Sequence, residues 1–240
     1  MTTSASRHTV GRENTAARVA IVLAVLLCLQ SCEKPRGPET TAVSGTRQIS
    51  DSLIRPGDVK ATVSNLEQIG PGGPRGKELT SLLSIWENRK EALDSFPEVN
   101  ARTLVEVSIA GALLQARAAG FVQLTKAQLE GMRALLKRAI NEMPGQTSTR
   151  ATAALAFYED DESVELLRSL ASDPANDNWR AAILALAYMC EPAAAREIET
   201  LSNGNTPTSG FAREQSLTAK QFMSTSNVCP ERLARLHPGR

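Results

Sequence analysis

The stretch LASDPANDNWRAAILAL, residues 170–186, decides the fold because it belongs to an internal repeat. When the second half of the chain is slid along itself, matching residues fall together at offsets of 30 and 31. The matched pairs are Arg150 with Arg180, Ala151 with Ala181, Tyr158 with Tyr188, Val164 with Ala195, Leu167 with Ile198 and Leu170 with Leu201. A period of this length indicates a helical supersecondary unit that is copied along the chain.

Across residues 149–224 the repeat is similar to the short HEAT-like repeats of the phycobilisome-lyase type. The matching elements are the helix-ending Leu170, the turn at Asp173 and Pro174, and the helix start at Trp179, Arg180 and Ala181. That family more often has Val at the position of Trp179. The resemblance implies an α-solenoid, in which each helical hairpin buries its apolar face against its neighbours. A compact bundle is the alternative.

We expect the HEAT-like repeats to fill residues 146–236, followed by a tail at 237–240. A degenerate third copy begins at Arg213, with Leu217 and Phe222 predicted on its inner face. The resemblance also implies a ladder of charged side chains that satisfies loop backbone groups between repeats. Its members would be Arg150, Asp173, Asp177, Arg180 and Arg213.

Residues 60–145 are predicted to form the preceding helical hairpins, or a cap. A weak helix at 60–69 is followed by the Gly/Pro run 70–74, which breaks any regular element. Thr125 and Gln128 have the spacing of a capping box. Apolar stripes at helical spacing mark three helices: Leu79, Leu82, Leu83, Trp86 and Leu93, closed by Pro97; Val105, Ile109, Ala112, Leu113 and Ala116, closed by Gly120; and Leu129, Met132, Leu136, Ile140 and Met143.

The composition agrees with an all-α domain and argues against a nucleic-acid partner. Aromatic residues make up only 4% of the chain, while Ala and Leu dominate, which favours helices over a sheet. Removing residues 1–31 takes away three of the 27 basic and one of the 26 acidic side chains, leaving a net charge of about −1. Binding to phosphates needs a concentrated basic field, and a near-neutral domain does not provide one.

Residues 1–31 are predicted to be a signal peptide and not part of the fold. A basic stretch ends at Arg18 and is followed by an apolar run at residues 19–29. As a helix this run rises only about 16 Å, whereas the hydrocarbon core of a bilayer is about 30 Å thick. It is therefore too short for a permanent membrane span.

The four residues Leu29-Gln30-Ser31-Cys32 resemble the lipobox of bacterial lipoproteins, although Gln30 is less usual at its position. The resemblance implies cleavage before Cys32, a diacylglycerol on its thiol and an acylated amine, which together hold a protein firmly on a bilayer. Glu33 instead of Asp implies the outer membrane, facing the periplasm. An ordinary signal peptide or short anchor with an incidental Cys is the alternative.

Residues 32–59 are predicted to be a flexible tether, because they are rich in Pro, Gly, Ser and Thr and show no periodicity. Packing of residues 49–54 against the domain is the alternative. Beyond the tether only Cys190 and Cys229 remain, and an even pair in an oxidising compartment favours a disulfide. The bond would close a loop of about 40 residues and contribute roughly 4 kcal/mol. Two buried free thiols are the alternative.

Candidate catalytic residues are scarce. The sequence has no HExxH, GxSxG, CxxC or EF-hand motif, and its two histidines are His8, in the signal peptide, and His237, near the C-terminal end. We therefore expect no enzymatic activity, no metal and no cofactor. The acidic run at residues 159–162 is predicted to cap the helix that opens near Ser163.

These observations favour a non-enzymatic, lipid-anchored envelope protein that uses its helical repeats to bind a protein partner. Trp179 and Tyr188 are the candidate partner-binding residues, whereas Trp86 is expected in the core. A small-ligand binder or lyase-like enzyme is one alternative, because some proteins with similar repeats are chromophore lyases. A structural spacer without a specific partner is another, and the oligomeric state stays open.

Overall fold

The computed structural model describes residues 53–69, 72–173, 175–204 and 210–225, and the regular structure within these ranges is helical. The all-α prediction is therefore confirmed. A 3-10 turn at Leu155–Phe157 directly follows the helix Gln146–Ala154. The helices are α1 Val59–Glu67, α2 Gly76–Glu87, α3 Arg89–Ala92, α4 Val99–Ala118, α5 Lys126–Glu142, α6 Gln146–Ala154, α7 Asp161–Ser172, α8 Trp179–Tyr188, α9 Pro192–Ser202 and α10 Gly210–Thr225.

Two helices begin where side-chain chemistry places them. At α5 the Thr125 hydroxyl accepts a hydrogen bond from the Gln128 N–H at 3.2 Å, and the Gln128 side chain accepts one from the Thr125 N–H at 2.8 Å. The predicted capping box is thus present, and such a cap contributes about 1 kcal/mol. At α1 the Asp58 carboxylate accepts from the Ala61 N–H at 2.9 Å.

Part of the predicted tether packs against the domain. Ile54 is buried, Leu53 is partly buried, and the Arg55 N–H donates to the Thr62 hydroxyl at 2.8 Å. The chain therefore joins the core from residue 53 onward, as the alternative for residues 49–54 allowed. Residues 32–52 lie outside the described residues.

Helix α4 is the central helix of the first half. The five residues of its predicted stripe are buried, and so are Val107, Ala110, Leu114 and Ala118. Because it is apolar on several sides, it packs against α1, α2, α5 and α6 at once. The turn before α2 also lies on it: Gly73 has φ +85°, and a Cβ there would come within 2.7 Å of the Ala116 nitrogen. Only glycine fits that approach.

The helix predicted through Leu93 is interrupted. Asn88 ends α2, and a separate short helix, α3, follows. The interruption turns Leu93 and Phe96 into the core, where they are 0% and 1% exposed, together with Leu82 and the predicted core residue Trp86.

The second half is built from hairpins in which consecutive helices pack together. These hairpins are α5 with α6, α7 with α8, and α9 with α10. The second helix of each hairpin also contacts the next one: α4 packs on α6, α6 on α8, and α8 on α10. Along the chain, each of these hairpins is therefore packed against the next.

Two details of the predicted repeat register are wrong. Ala195 was matched to the buried Val164, but Ala195 is exposed and Ala194 is buried in its place. Leu217 was predicted on an inner face, yet it is 51% exposed, because Ala212, Ser216 and Ala219 form the buried side of α10. The side chain of Phe222 lies outside the described residues.

A neutral side chain, Asn178, links two of the hairpins. Asn178 is buried, and its amide donates to the Ser148 hydroxyl at 2.5 Å and accepts from Thr149 at 3.3 Å. An amide carries both a donor and an acceptor, so it bridges two hairpins without burying a charge. Two residues of the predicted ladder bond to backbone groups beside loops: Asp173 accepts from the Ala175 N–H, and Arg213 donates to the Ser202 carbonyl. Arg150 instead pairs with the Glu67 carboxylate.

Candidate interaction surface

Helix α8 places the two candidate partner-binding aromatics at its opposite ends. Trp179 begins the helix and Tyr188 ends it, about 13 Å apart at 1.5 Å per residue. Trp179 is half-buried against the core, with the Arg180 guanidinium 5.0 Å from the centre of its ring. Tyr188 is half-buried and meets Phe157 edge to face at 5.4 Å. The two residues therefore do not form one aromatic patch.

Leu184, between these aromatics, was missed by the sequence analysis. It is 39% exposed, and it lies one helical turn before Tyr188 on the same side of α8. The neighbouring helix α6 repeats this arrangement 31 residues earlier, with Ala153 exposed one turn before Phe157. We call Ala153, Phe157, Leu184 and Tyr188 the α6–α8 face. The spacing of four in both pairs was the sequence signal for it.

The residues of the acidic run before α7, 159–162, have different roles. Asp160 is the N-cap, and its carboxylate accepts from the Ser163 N–H at 2.9 Å, so the capping prediction is confirmed for this residue. Asp161 and Glu162 lie in the first turn, where the helix dipole favours negative charge. Glu159 does not cap the helix. It has φ +56° and is 0% exposed, so its side chain turns into the protein.

Arg133 on α5 joins this run to the rest of the fold. Its guanidinium pairs with Asp160 and with Glu162, and lies 4.2 Å from the centre of the Tyr158 ring. The Tyr158 hydroxyl donates to the Leu129 carbonyl at 2.8 Å. The Arg133 side chain is only 17% exposed, so these contacts are partly shielded from solvent.

The pKa directions follow from these contacts. Burial disfavours the charged form of Asp160, but hydrogen bonds from Arg133 and the Ser163 N–H outweigh it and hold the pKa of Asp160 below its usual value. The hydrogen bond from Lys137 lowers the pKa of Glu162. Burial raises the pKa of Tyr158 well above its usual value, so its hydroxyl stays protonated and continues to donate.

A shallow depression of about 490 Å³ lies beside Arg133. It is lined by Lys126, Leu129, Glu130, Arg133, Ala134, Lys137 and Glu162. Each basic side chain of the lining has a carboxylate partner: Glu130 for Lys126, Asp160 and Glu162 for Arg133, and Glu162 for Lys137. The charges of the depression are thus satisfied within the protein.

A second cluster lies at the end of α8, and we call Glu159, Cys190 and Glu191 the Cys190 corner. One oxygen of Glu159 accepts a hydrogen bond from the Cys190 N–H at 2.7 Å. All three residues are buried, and Cys190 is disulfide-bonded. A sulfur in a disulfide cannot act as a thiolate nucleophile, so the bonded Cys190 does not supply the nucleophile that the lyase alternative would need. The other predicted half of the bond, Cys229, lies outside the described residues.

The predicted lipid site, Cys32, and the predicted signal peptide also lie outside the described residues. Among the helices that are described, none is long and apolar enough to cross a bilayer. Within the same ranges, no group of three or more His, Cys, Asp or Glu side chains is arranged so that it could hold a metal ion.

Known proteins do not add to this description. Comparison with protein families, curated proteins and solved structures finds no match to the chain. The similarity to HEAT-like repeats stays a prediction from the quoted residues.

Proposed function

We propose that this protein is a lipid-anchored envelope scaffold whose HEAT-like hairpins form an α-solenoid and bind a protein partner. The order of helix contacts supports the solenoid. Helix α4 packs on α6, α6 on α8, and α8 on α10. Within each hairpin, the first helix, which is α5, α7 or α9, packs on the second. This is the nearest-neighbour packing that repeat proteins use to build an extended binding surface.

The lipid anchor is supported by the position of Cys32 directly after the apolar run 19–29. Because the described chain already packs at residue 53, the proposed tether would be limited to residues 33–52. Twenty residues of flexible chain have a root-mean-square reach of about 25 Å. The lipid would hold the domain near the membrane surface, and the tether would let it turn toward a partner.

The observation that carries the binding role is the exposure of Leu184 on the α6–α8 face. An exposed leucine beside half-buried aromatic rings loses water favourably when a second apolar surface covers it. Arg180 is exposed one turn away on the same helix. We therefore expect the partner to present an apolar segment flanked by acidic side chains.

Site-specific photo-crosslinking in the native envelope tests this role. A photoreactive residue in place of Leu184 should give one discrete crosslinked protein, and the same residue at Val99 should not. Val99 is a matched control, because it is also an exposed apolar residue, 69% exposed, at the start of α4. Equal crosslinking at both positions, or lipid crosslinks alone, would contradict a partner on the α6–α8 face.

A further inference from the structure

Contacts at both ends fix how α6 and α8 lie against each other. At their C-terminal ends, the Phe157 and Tyr188 rings meet with centres 5.4 Å apart. At their N-terminal ends, the Thr149 hydroxyl donates to the Asn178 amide oxygen at 3.3 Å. The two helices therefore run side by side in the same direction. Neighbouring helix axes lie about 8–10 Å apart, a width into which the side-chain ridge of a third helix can pack.

The side chains on this surface form three tiers, which follow each other at one helical turn. Each step is four residues, or about 6 Å along the helix. The aromatic, aliphatic and polar tiers are, in this order, Phe157 with Tyr188, Ala153 with Leu184, and Thr149 with Arg180. The first two tiers are the α6–α8 face, and the polar tier extends it by one turn. The surface thus changes from apolar to polar along its length.

The aliphatic tier is uneven in height. Ala153 on α6 is exposed and ends in a single methyl group, whereas Leu184 on α8 is a large side chain that is 39% exposed. The space above Ala153 is therefore bounded by Leu184 on one side and by the aromatic tier at one end. A large apolar side chain placed there would remove the surface of Leu184 from water, which is favourable.

The polar tier is electropositive. Arg180 is exposed, its guanidinium lies 5.0 Å from the centre of the Trp179 ring, and no carboxylate of the described residues pairs with it. The N-termini of α6 and α8 lie at the same end, and neither has a hydrogen bond from a capping side chain. The helix dipoles add positive potential to that of the arginine. A carboxylate is the group that this tier suits.

The spacing of the tiers favours a helical occupant over an extended one. Side chains one turn apart on a helix lie about 5–6 Å from each other, close to the step between tiers. On a strand, side chains that share a face are about 6.6–6.8 Å apart, so an extended chain would lose register across three tiers. A helix that lies along α6 and α8 keeps its register.

We propose that the partner binds the α6–α8 face as an amphipathic helix, with two large apolar side chains one turn apart on the aromatic and aliphatic tiers and an acidic side chain one further turn along on Arg180. This is the helix-in-groove mode of peptide recognition. The inference rests on the proposed partner site, but it does not depend on the lipid anchor.

Selection from a displayed library of random peptides tests the motif. The library holds peptides of about fourteen residues, or four helical turns, and the target is the full-length protein. Enriched peptides should share two large apolar residues three or four apart and an Asp or Glu three or four residues beyond them. Enriched peptides without that acid or that spacing would overturn the proposal, as would no enrichment over a target that carries Ala153→Trp.

The affinity of a synthetic peptide with the selected motif tests the role of the small side chain at residue 153. Ala153→Trp fills the space above α6 and should raise the dissociation constant, measured by fluorescence anisotropy, by at least about tenfold. Ala195→Trp is the matched control, because Ala195 is an exposed alanine on α9, and it should leave the affinity unchanged. Equal affinities of the two variants would overturn the proposal.

The acidic contact and the helical form are tested with the same peptide. Arg180→Gln should weaken binding about three- to fivefold at low salt and have no effect at molar salt, because the pair lies at the surface. Arg196→Gln removes the same charge from α9 and should have no effect at either salt. A proline in the middle of the peptide should abolish binding, since it breaks a helix. Unchanged affinity for Arg180→Gln or for the proline peptide would overturn the proposal.

The photo-crosslink at Leu184 separates failure of this inference from failure of the proposed function. If a discrete crosslinked protein forms and Ala153→Trp removes it, both the site and the binding mode are supported. If the product forms equally well with Ala153→Trp, the partner site stands and the helical mode is overturned. Without any discrete product at Leu184, the proposed partner site itself fails.

Discussion

Glu159 and Asp160 are neighbours in the chain, but they belong to two regions with opposite physical character. Asp160 lies beside Arg133 in a partly hydrated network on the surface of α5 and α7. Glu159 lies in the Cys190 corner, fully buried, with its carboxylate on the Cys190 N–H. The difference arises from one backbone angle, the φ of +56° at Glu159, which turns consecutive acids in different directions.

The presence of a charged residue in the sequence does not show how much that residue contributes to the free energy of unfolding. Surface ion pairs contribute roughly 0–1 kcal/mol each because water and salt screen them. A buried acceptor is different, since removing it strands the donor that it served. We therefore expect the corner and the surface network to respond very differently to matched substitutions.

The largest effect is expected at Glu159. Glu159→Ala should lower the free energy of unfolding by about 3 kcal/mol, because it strands the Cys190 N–H and leaves a cavity. Glu159→Gln retains an oxygen that can accept from that N–H, so its loss should be clearly smaller. Chemical denaturation under non-reducing conditions measures both. Equal losses for Ala and Gln would show that the hydrogen bond is not what stabilises the corner.

Arg133→Ala should have the next largest effect, about 1–2 kcal/mol, because the guanidinium pairs with two carboxylates and covers the Tyr158 ring. Arg138→Ala on the same helix is the matched control. Its guanidinium is more exposed and lies as far as 3.9 Å from the Glu106 carboxylate. We therefore expect the free energy of unfolding to fall by less than about 0.5 kcal/mol. Similar denaturation midpoints for the two variants would contradict the role of Arg133.

The pH dependence of Asp160 gives a smaller, signed effect. Because its pKa in the folded protein is lowered, ionised Asp160 contributes stability above the usual Asp pKa of about 3.9. That contribution is lost as the pH falls through the lower folded value. The stability difference between the parent and Asp160→Asn should therefore be constant near neutrality and shrink below about pH 4. A difference that grows on acidification would show the opposite shift.

The smallest effect is expected for Glu162→Gln. Its pairs with Lys137 and Arg133 lie at the surface, so the loss should be below about 1 kcal/mol and should fade as salt is added. Denaturation at low and at molar salt measures this. A loss at Glu162 as large as that at Glu159, or one that is independent of salt, would remove the distinction between the two regions.

Local patterns were enough to predict much of the fold. The capping box at Thr125 and the apolar stripe of α4 depend on short-range spacing, and the structure contains both. The misplaced residues depend on tertiary contacts. Ala194 rather than Ala195 is buried because the turn before α9 sets the helix rotation. The hydrogen bond from the Asn178 amide to Ser148 joins two hairpins and was not predicted.

The candidate surface was less predictable than the fold. Trp179 and Tyr188 were the candidates from the sequence, but packing half-buries both of them, and the exposed Leu184 was not predicted. Exposure depends on which helix face lacks a neighbour. The sequence alone does not show which face that is, because the answer depends on how the helices pack.

The central claim is that this domain works outside the cytoplasm on a lipid tether, and the intact mass of the protein from its native membrane tests it most directly. We predict a chain that begins at Cys32, carries acyl groups on that residue, and weighs two hydrogens less than its reduced form. A chain that keeps residues 1–31, or one that lacks lipid and has all its thiols free, would contradict the account.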